Sequence, residues 1–432
     1  MKRIIIVAGL MAIWDTALLW AAETNAWPVL TLADARKLAL ENHPRVVAAR
    51  FQVGAAREAV KEARSAEFPA ANLYGTAAGA NDANGRILAG AINNPSVYDR
   101  VAGGLGVSQL ITDFGRTANL KASSQFAERA ESENAADVRE QVWLQVSSSY
   151  YGVLDARAVL EVARQTVQSR ELMLEQVNTL ATNKLRSELD ISFGHVLLEQ
   201  GQLLVERAQN GLDAALATFA NALGYHDKRQ FQLVEPPPSP TGTNDVDELI
   251  QTALGRRPEL LSLRAQIEAA RRFARAERDA RRPTVSALGV IGNSPIHDDR
   301  LEANYAAADL NITMPLFAGG LYLARQHRAE AQASAADEQL RDAEDNVIQQ
   351  VRLAWLNVNT ARQVLQTSRE LVGNAGEAYE LALARYQAGL SSVVELSEAQ
   401  LNQVSAKINE ANAHYELLQD EADLDYQVGV IH

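Results

Sequence analysis

The residues able to do chemistry are poorly placed for it in this 432-residue chain. The seven histidines are scattered, with no His-x-x-x-His pair. There is no cysteine, which excludes thiolate nucleophiles, disulfides and zinc–thiolate sites. Neither a phosphate loop nor a nucleophile elbow occurs. Gly103-Gly104-Leu105-Gly106 is not followed by a helix start and reads as strand. Tyr150, Tyr151 and Trp355 have the chemistry of an aromatic box, but read as packing between helices. Carboxylates are plentiful, and on repetitive helices their default role is solvation. The pattern argues against an enzyme and predicts no metal or cofactor. Three acids stand apart by position. Asp190, Glu395 and Glu398 lie just beyond two breaks in helical sequence, Asn183-Lys184-Leu185 and Ala388-Gly389-Leu390. Gly389 suits the left-handed backbone that ends a helix, and Asn183 can serve in the other break. A helix dipole alone favours acids at such places, so a purely structural role stays open.

The breaks recur because the chain is written twice. Gly115 to Gly224 matches Gly320 to Gly429 at an offset of 205, pairing Tyr150 with Trp355, Arg164 with Arg369, Leu185 with Leu390 and Asp190 with Glu395. Upstream the offset becomes 214, pairing Pro44 with Pro258 and Pro69 with Pro283. Loops can absorb such a change in length at little cost. Duplication of one long unit suggests an architectural object rather than a catalytic pocket.

The helical stretches carry a heptad stripe. Val347, Val351, Ala354, Val358, Ala361, Leu365, Ser368, Val372, Ala375, Tyr379, Ala382 and Tyr386 follow alternating steps of four and three. The first copy keeps it from Val142 to Ala181, with Ser149 and Arg170 as polar entries, and a third stripe runs from Leu401 to Ala422. Helices are predicted at about 116–182, 187–223, 320–387 and 393–428. The first would span roughly 100 Å. The shorter pieces 187–223 and 258–282, laid end to end, nearly match it, as do 393–428 and 44–68. The section 225–257, with Pro236-Pro237-Pro238, reads as a non-helical waist between a first repeat (27–224) and a second (258–429).

Extended stretches sit at the far end of these struts. From Tyr305 to Pro315 apolar residues alternate with Asp309, Asn311 and Thr313. Strands are predicted at about 70–79, 101–111, 284–292 and 305–315, with turn chemistry in 81–99 and 293–304. Each has the length of a barrel strand crossing a bilayer. Four strands cannot close a barrel in lipid, where an open edge leaves backbone groups unpaired, so several chains must share one.

The N-terminus reads as a secretory signal over 1–26: Lys2-Arg3, an apolar run from Ile4 to Leu19 broken by Asp15, then small residues, with cleavage after Ala22 or Ala26. The lack of cysteine also predicts that the chain is not a lipoprotein. A net charge of -13 and a pI near 5.2 disfavour nucleic acid as a partner.

With this plan the sequence resembles the TolC-type outer-membrane efflux protein family. The carriers are Gln109-Leu-Ile-Thr-Asp-Phe-Gly115 and its counterpart Met314-Pro-Leu-Phe-Ala-Gly-Gly320, with Ala384-Arg-Tyr-Gln-Ala-Gly-Leu390, Ser187-Glu-Leu-Asp190 and Ala222-Leu-Gly224. The resemblance implies a mainly α-helical chain with a transmembrane β region. It implies a homotrimer, a shared 12-stranded barrel in the bacterial outer membrane and a helical tunnel through the periplasm. Such ducts export small molecules, metal ions or proteins, joined to a periplasmic adaptor and an inner-membrane transporter. By the same resemblance Glu395 and Glu398 ring a closed aperture, and Tyr386 hydrogen-bonds to Asp190 to hold it shut. Ser391 replaces an arginine of some members, implying a differently held gate. The turns at Asn183, Lys184, Leu185, Gly389 and Leu390 are implied to receive adaptor hairpins, with Lys184 departing from the family's glycine. The rival reading is a soluble periplasmic coiled-coil adaptor or scaffold, which accounts for the signal and heptads but not for four bilayer-length strands.

Overall fold

The computed structural model describes residues 29–79, 87–88, 96–97, 99–184, 187–226, 231–237, 245–297 and 302–430. The predicted signal segment and Leu185 lie outside these residues. In chain order the elements are β1 (Val29–Leu30), α1 (Leu32–Asn42), α2 (Pro44–Ser65), β2 (Ala70–Ala78), β3 (Ile87–Leu88), β4 (Ser96–Val97), β5 (Arg100–Thr112), α3 (Arg116–Thr182) and α4 (Glu188–Ala222). They continue with β6 (Gln232–Leu233), α5 (Val246–Arg256), α6 (Pro258–Asp279), β7 (Thr284–Ile296), β8 (Asn304–Thr313), α7 (Leu321–Gln387) and α8 (Val393–Val428).

Two expectations are corrected here. The waist is not wholly non-helical, because Asp245 caps α5 and Ile250 and Ala253 bury its apolar face. Its counterpart at the 214 offset is α1, capped by Thr31, so each repeat carries one helix more than its heptads revealed. The strands also run further into the predicted 293–304 turn, since β7 extends to Ile296 and pairs Asn293 with Asn304.

The long helices bury what the heptad pattern dictates. In α7 the seam Val347, Val351, Ala354, Val358, Ala361, Leu365 and Ser368 is buried, and little else is. By contrast, α3 buries that seam and a second one containing Tyr150, Leu154 and Met173. The difference follows from position. α3 packs against α1, α2, α4, α6 and α8, whereas the main helix partners of α7 among the described residues are α5, α6 and α8. Gly194 and Gly201, one heptad apart on α4, let α3 approach closely; a Cβ at Gly194 would stand 2.8 Å from Leu174.

The short helices stack within a repeat, not across repeats as their lengths alone suggested. α4 ends at Gly224 (φ +81), against the backbone of His43 at the head of α2; a Cβ there would lie 3.1 Å from His43 Cα. α8 ends at Gly429 (φ +71) against Arg257 at the head of α6 in the same way. Both ends close with the paired hydrogen bonds of a Schellman motif, Tyr225 N–H to Ala220 O (3.0 Å) and Val430 N–H to Asp425 O (3.2 Å). Close backbone contact of this kind selects glycine, and it selects which helix end can sit there.

β2, β5, β7 and β8 form one antiparallel sheet in that order, so β2 and β8 are open edges. β2 runs from α2 and β8 leads to α7, the outermost helices of the layer. At the waist β1 pairs parallel with β6. Tyr150 locks that joint: its hydroxyl reaches the Leu30 carbonyl at 3.0 Å and accepts the Val234 N–H at 3.0 Å. Tyr150 is therefore core, packed edge-on against Tyr151 and Phe219.

Candidate functional site

The two helix breaks become two hairpin tips at the same end of the layer. At the second, Gly389 has φ +78, and Leu390 N–H reaches Arg385 O at 2.9 Å. At the first, the left-handed residue is Lys184 itself (φ +60), while Asn183 keeps φ −83 and donates its side-chain amide to Thr179 O. The lysine turn thus copies the glycine turn, at the cost of placing a Cβ in left-handed backbone. Leu390 is exposed.

Behind the tips one apolar cluster joins both hairpins: Met173, Val177, Leu197, Ala382, Tyr386, Val393 and Leu396, with Ile191 packed on it. Tyr386 is buried there. Within one chain the Asp190 carboxylate is held by Ser187, accepting from its N–H and hydroxyl at 3.1 Å each, in a capping box. Glu395 lies in the first turn of α8, whose cap is Ser392, and its carboxylate pairs with Arg385 across the turn at 3.1 Å. Glu398 is exposed one turn on. The Ser391 hydroxyl is shielded in the turn and makes no hydrogen bond among the described residues. Sequence reading missed Arg385, whose only signal is its place beside Tyr386 in the repeated motif.

A polar layer sits above this cluster. Arg170, buried to 6% exposure, donates from Nη1 to Leu197 O at 2.6 Å, and burial lowers its pKa. Gln400, at 2%, donates to Ser169 Oγ at 3.3 Å, and Ser169 meets the Tyr379 hydroxyl at 3.3 Å. Arg170 was visible in advance as a charged entry in an apolar stripe. A second polar centre lies near the waist. Arg257 donates to Gln350 (2.7 Å), Gln427 (3.2 Å) and Glu259 (3.1 Å), and Tyr426 donates to Asp137 at 3.4 Å. There burial, then neighbouring Asp137, pushes the Glu140 carboxyl up to about 7.

At the opposite end the strand register sorts the sheet into two faces. Leu73 faces Leu105, Leu105 faces Ile291, and Ile291 faces Ala306. Ala71, Val107, Gly289 and Ala308 make the next row on the same face, and Ala287 with Leu310 and Val285 with Ile312 continue it. The first two rows hold no polar side chain; Gln109 and Thr112 enter the rows nearest the helices, and Asn293 and Asn304 close the face at its far end. Leu73, Ile291, Leu310 and Ile312 are strongly exposed. The other face carries Asn72, Thr76, Ser108, Ser286, Asp309 and Asn311. It also carries the row Tyr74, Gly104, Gly292, Tyr305. The Tyr305 ring lies over Gly104 and Gly292, and Tyr74 lies over Gly106, where a Cβ would come within 2.6 Å of the ring. One face with a continuous apolar band, and an opposite face on which polar side chains alternate with Leu110, Leu288 and Val290, on strands of 9 to 13 residues, suit a wall between lipid and water.

The sequence profile of the family described as outer membrane efflux protein matches residues 35–225 and 249–430. The chain belongs to the outer membrane efflux protein family. It is 24% identical over 437 aligned positions to outer membrane protein TolC of Vibrio cholerae, covering 98% of this chain and 95% of TolC. It is 26% identical over 429 positions to the alkaline protease secretion protein AprF of Pseudomonas aeruginosa, covering 92% and 86%. Its fold matches the CmeC outer membrane channel of Campylobacter jejuni with a TM-score of 0.79 at 19% identity, over 99% of this chain and 94% of that one. The protein is an outer-membrane channel, an exit duct of efflux or secretion systems. The sheet is its membrane part, and the helix layer is the wall of the duct that continues from it. No described helix is long and apolar enough to cross a membrane.

Proposed function

We propose that three copies of this chain close into one duct. Its hairpin tips would form a gate and receive a periplasmic adaptor, behind which an inner-membrane transporter supplies the energy. The observation that carries this reading is the coincidence of open edges. The sheet ends at β2 and β8, and the helix layer ends on the same two sides, at the α2–α4 stack and at α7. An unpaired strand edge is not tolerated in hydrocarbon. Pairing β8 of one copy with β2 of the next removes it and brings α7 against the next α2–α4 stack, a head-to-tail contact that closes as a ring. Exposed Leu353, Leu356, Leu371 and Leu381 on α7, and Leu189, Val196 and Leu203 on α4, give that contact apolar surface. A soluble scaffold leaves the apolar sheet face without a role.

At the tips Tyr386 and Asp190 would latch the duct between or within chains, with Glu395 and Glu398 narrowing it. Repeated carboxylates on an axis repel one another and attract cations. Small molecules, metal ions and proteins all remain within the cargo range, AprF being named for protease secretion. Native mass measurement of the detergent-solubilised channel tests the assembly. Three chains are expected; a stable single chain in lipid overturns the closed ring.

A further inference from the structure

Where the sheet meets the helix layer, a cleft of about 610 Å³ opens between the end of α6 and the start of α7. One wall is basic: Arg278, Arg281 and Arg282, all exposed. The other is apolar: Met314, Leu316 and Phe317, also exposed, Leu316 at 87% and Phe317 at 91%. The acid paired with this wall is Asp279, buried at 3% exposure. It is shared by Arg278 (3.7 Å) and Arg282 (3.4 Å) and already accepts from Asn119 at 2.9 Å. Arg282 also donates to the Phe114 carbonyl at 2.6 Å. One carboxylate serves two guanidiniums and Arg281 has no ion pair among the described residues, so the cleft carries surplus positive charge in a chain of net charge -13.

We propose that this cleft holds an anionic phospholipid of the periplasm-facing leaflet, its phosphate between Arg278 and Arg281 and its acyl chains along Met314 and the apolar sheet face. Two arguments select that occupant. Guanidinium is the side chain best matched to phosphate oxygens. Met314 continues the alternation of Leu310 and Ile312, so the cleft opens on the face that meets lipid, at the depth where that face stops. Basic residues at this depth attract anionic headgroups. The inference rests on the membrane placement of the sheet, not on the number of chains in the ring.

The experiment uses the purified channel in nanodiscs with a tryptophan probe, Phe317→Trp, and phosphatidylglycerol or phosphatidylcholine brominated in the acyl chains. Fluorescence is read against the background of the unsubstituted channel. Brominated phosphatidylglycerol should quench the probe at a lower mole fraction than brominated phosphatidylcholine, by at least roughly fivefold, the contribution of one interfacial arginine, since Arg278 is partly neutralised by Asp279 and Arg281 is not. Adding Arg278→Gln and Arg281→Gln should abolish the preference while quenching by phosphatidylcholine persists. Those two arginines are exposed, so the doubly substituted channel should assemble normally. No quenching by either lipid means that a second copy covers Phe317 and overturns the proposal. Equal quenching by both lipids, or a preference that survives the arginine substitutions, overturns it as well.

Discussion

At the scale of single residues, the candidate gate was only partly legible. Asp190, Glu395 and Glu398 lie just after the helix breaks and Tyr386 just before the second. Competition for their polar atoms was half visible. The spacing of Ser187 and Asp190 is that of a capping box and can be read from the sequence, whereas Arg385 reaches Glu395 across a turn whose shape composition does not display. Tyr386→Phe should raise resting single-channel conductance in planar bilayers if the hydroxyl latches the assembled tips; unchanged conductance places the latch elsewhere. A second prediction concerns the polar sheet face. Only side-chain atoms, of Tyr74 and Val290, come near a Cβ at Gly106. Gly106→Ala should therefore push Tyr74 off the wall into the lumen and lower conductance, and Tyr74→Ala in the same chain should restore it. Loss of assembly in the double variant would show that the ring braces the wall instead. A third follows from Glu140, whose carboxyl is raised from 4.5 to about 7. A raised carboxyl binds its proton more tightly folded than unfolded, so its contribution to stability falls as pH rises from about 4.5 to about 7. Glu140→Gln should raise the thermal midpoint at pH 8 and leave it unchanged at pH 4. Solvent screening at this half-buried position limits the gain to about 1 kcal/mol. A gain of equal size at both pH values would mean that proton uptake is not its source.

At the scale of elements, the long helices were legible because burial and sequence share one period. Ten of the twelve heptad entries of α7 are buried, Val372 and Tyr379 being half-buried, and even the polar entries Ser149 and Arg170 of α3 are buried on schedule. α1 and α5 escaped because eleven residues give too few turns for a stripe to declare itself. The stacking of α4 on α2 escaped because length fixes how far a helix reaches, whereas Gly224 and His43 fix what it touches. Comparison of the two repeats also locates strain. Lys184 and Phe114 are the non-glycine residues with positive φ, and their counterparts at the 205 offset are Gly389 and Gly319. Lys184→Gly should stabilise the first tip by about 1 kcal/mol, the cost of left-handed backbone for a residue with a Cβ, measurable as slower hydrogen exchange across the turn. The mirror change, Gly389→Trp, should leave assembly intact, because nothing lies within 4 Å of that position. Export should nevertheless collapse if adaptors dock through this turn. Normal export with normal adaptor crosslinking in that variant would remove the turn from the docking surface.

At the scale of the whole molecule, the joint between the repeats deserves to be compared with the joint between copies. Inside the chain, β5 of the first repeat pairs with β7 of the second, and α3 lies against α6 and α8. Between chains, β8 would meet β2 and α7 would meet α2 and α4, the same elements shifted by one repeat. If the ring closes as proposed, the chain contains a specimen of its own quaternary contact, welded by the connection after Gly224. A ring of three such chains is a ring of six half-length units with alternate joints tied. The link beyond β6 is then a tether rather than a structural member, and the two halves should be separable there. Co-expressed fragments ending at Pro237, which keeps β6 on β1, and beginning at Asp245 should rebuild a conducting channel, while either alone should not; failure of the pair to co-assemble would show that the link itself holds the waist. Read this way, duplication and fusion fixed the stoichiometry of half the seams and freed the two hairpin tips to diverge. A glycine at one and a lysine at the other are the visible trace: a six-unit ancestor must present six identical feet, whereas the fused chain stands on two kinds.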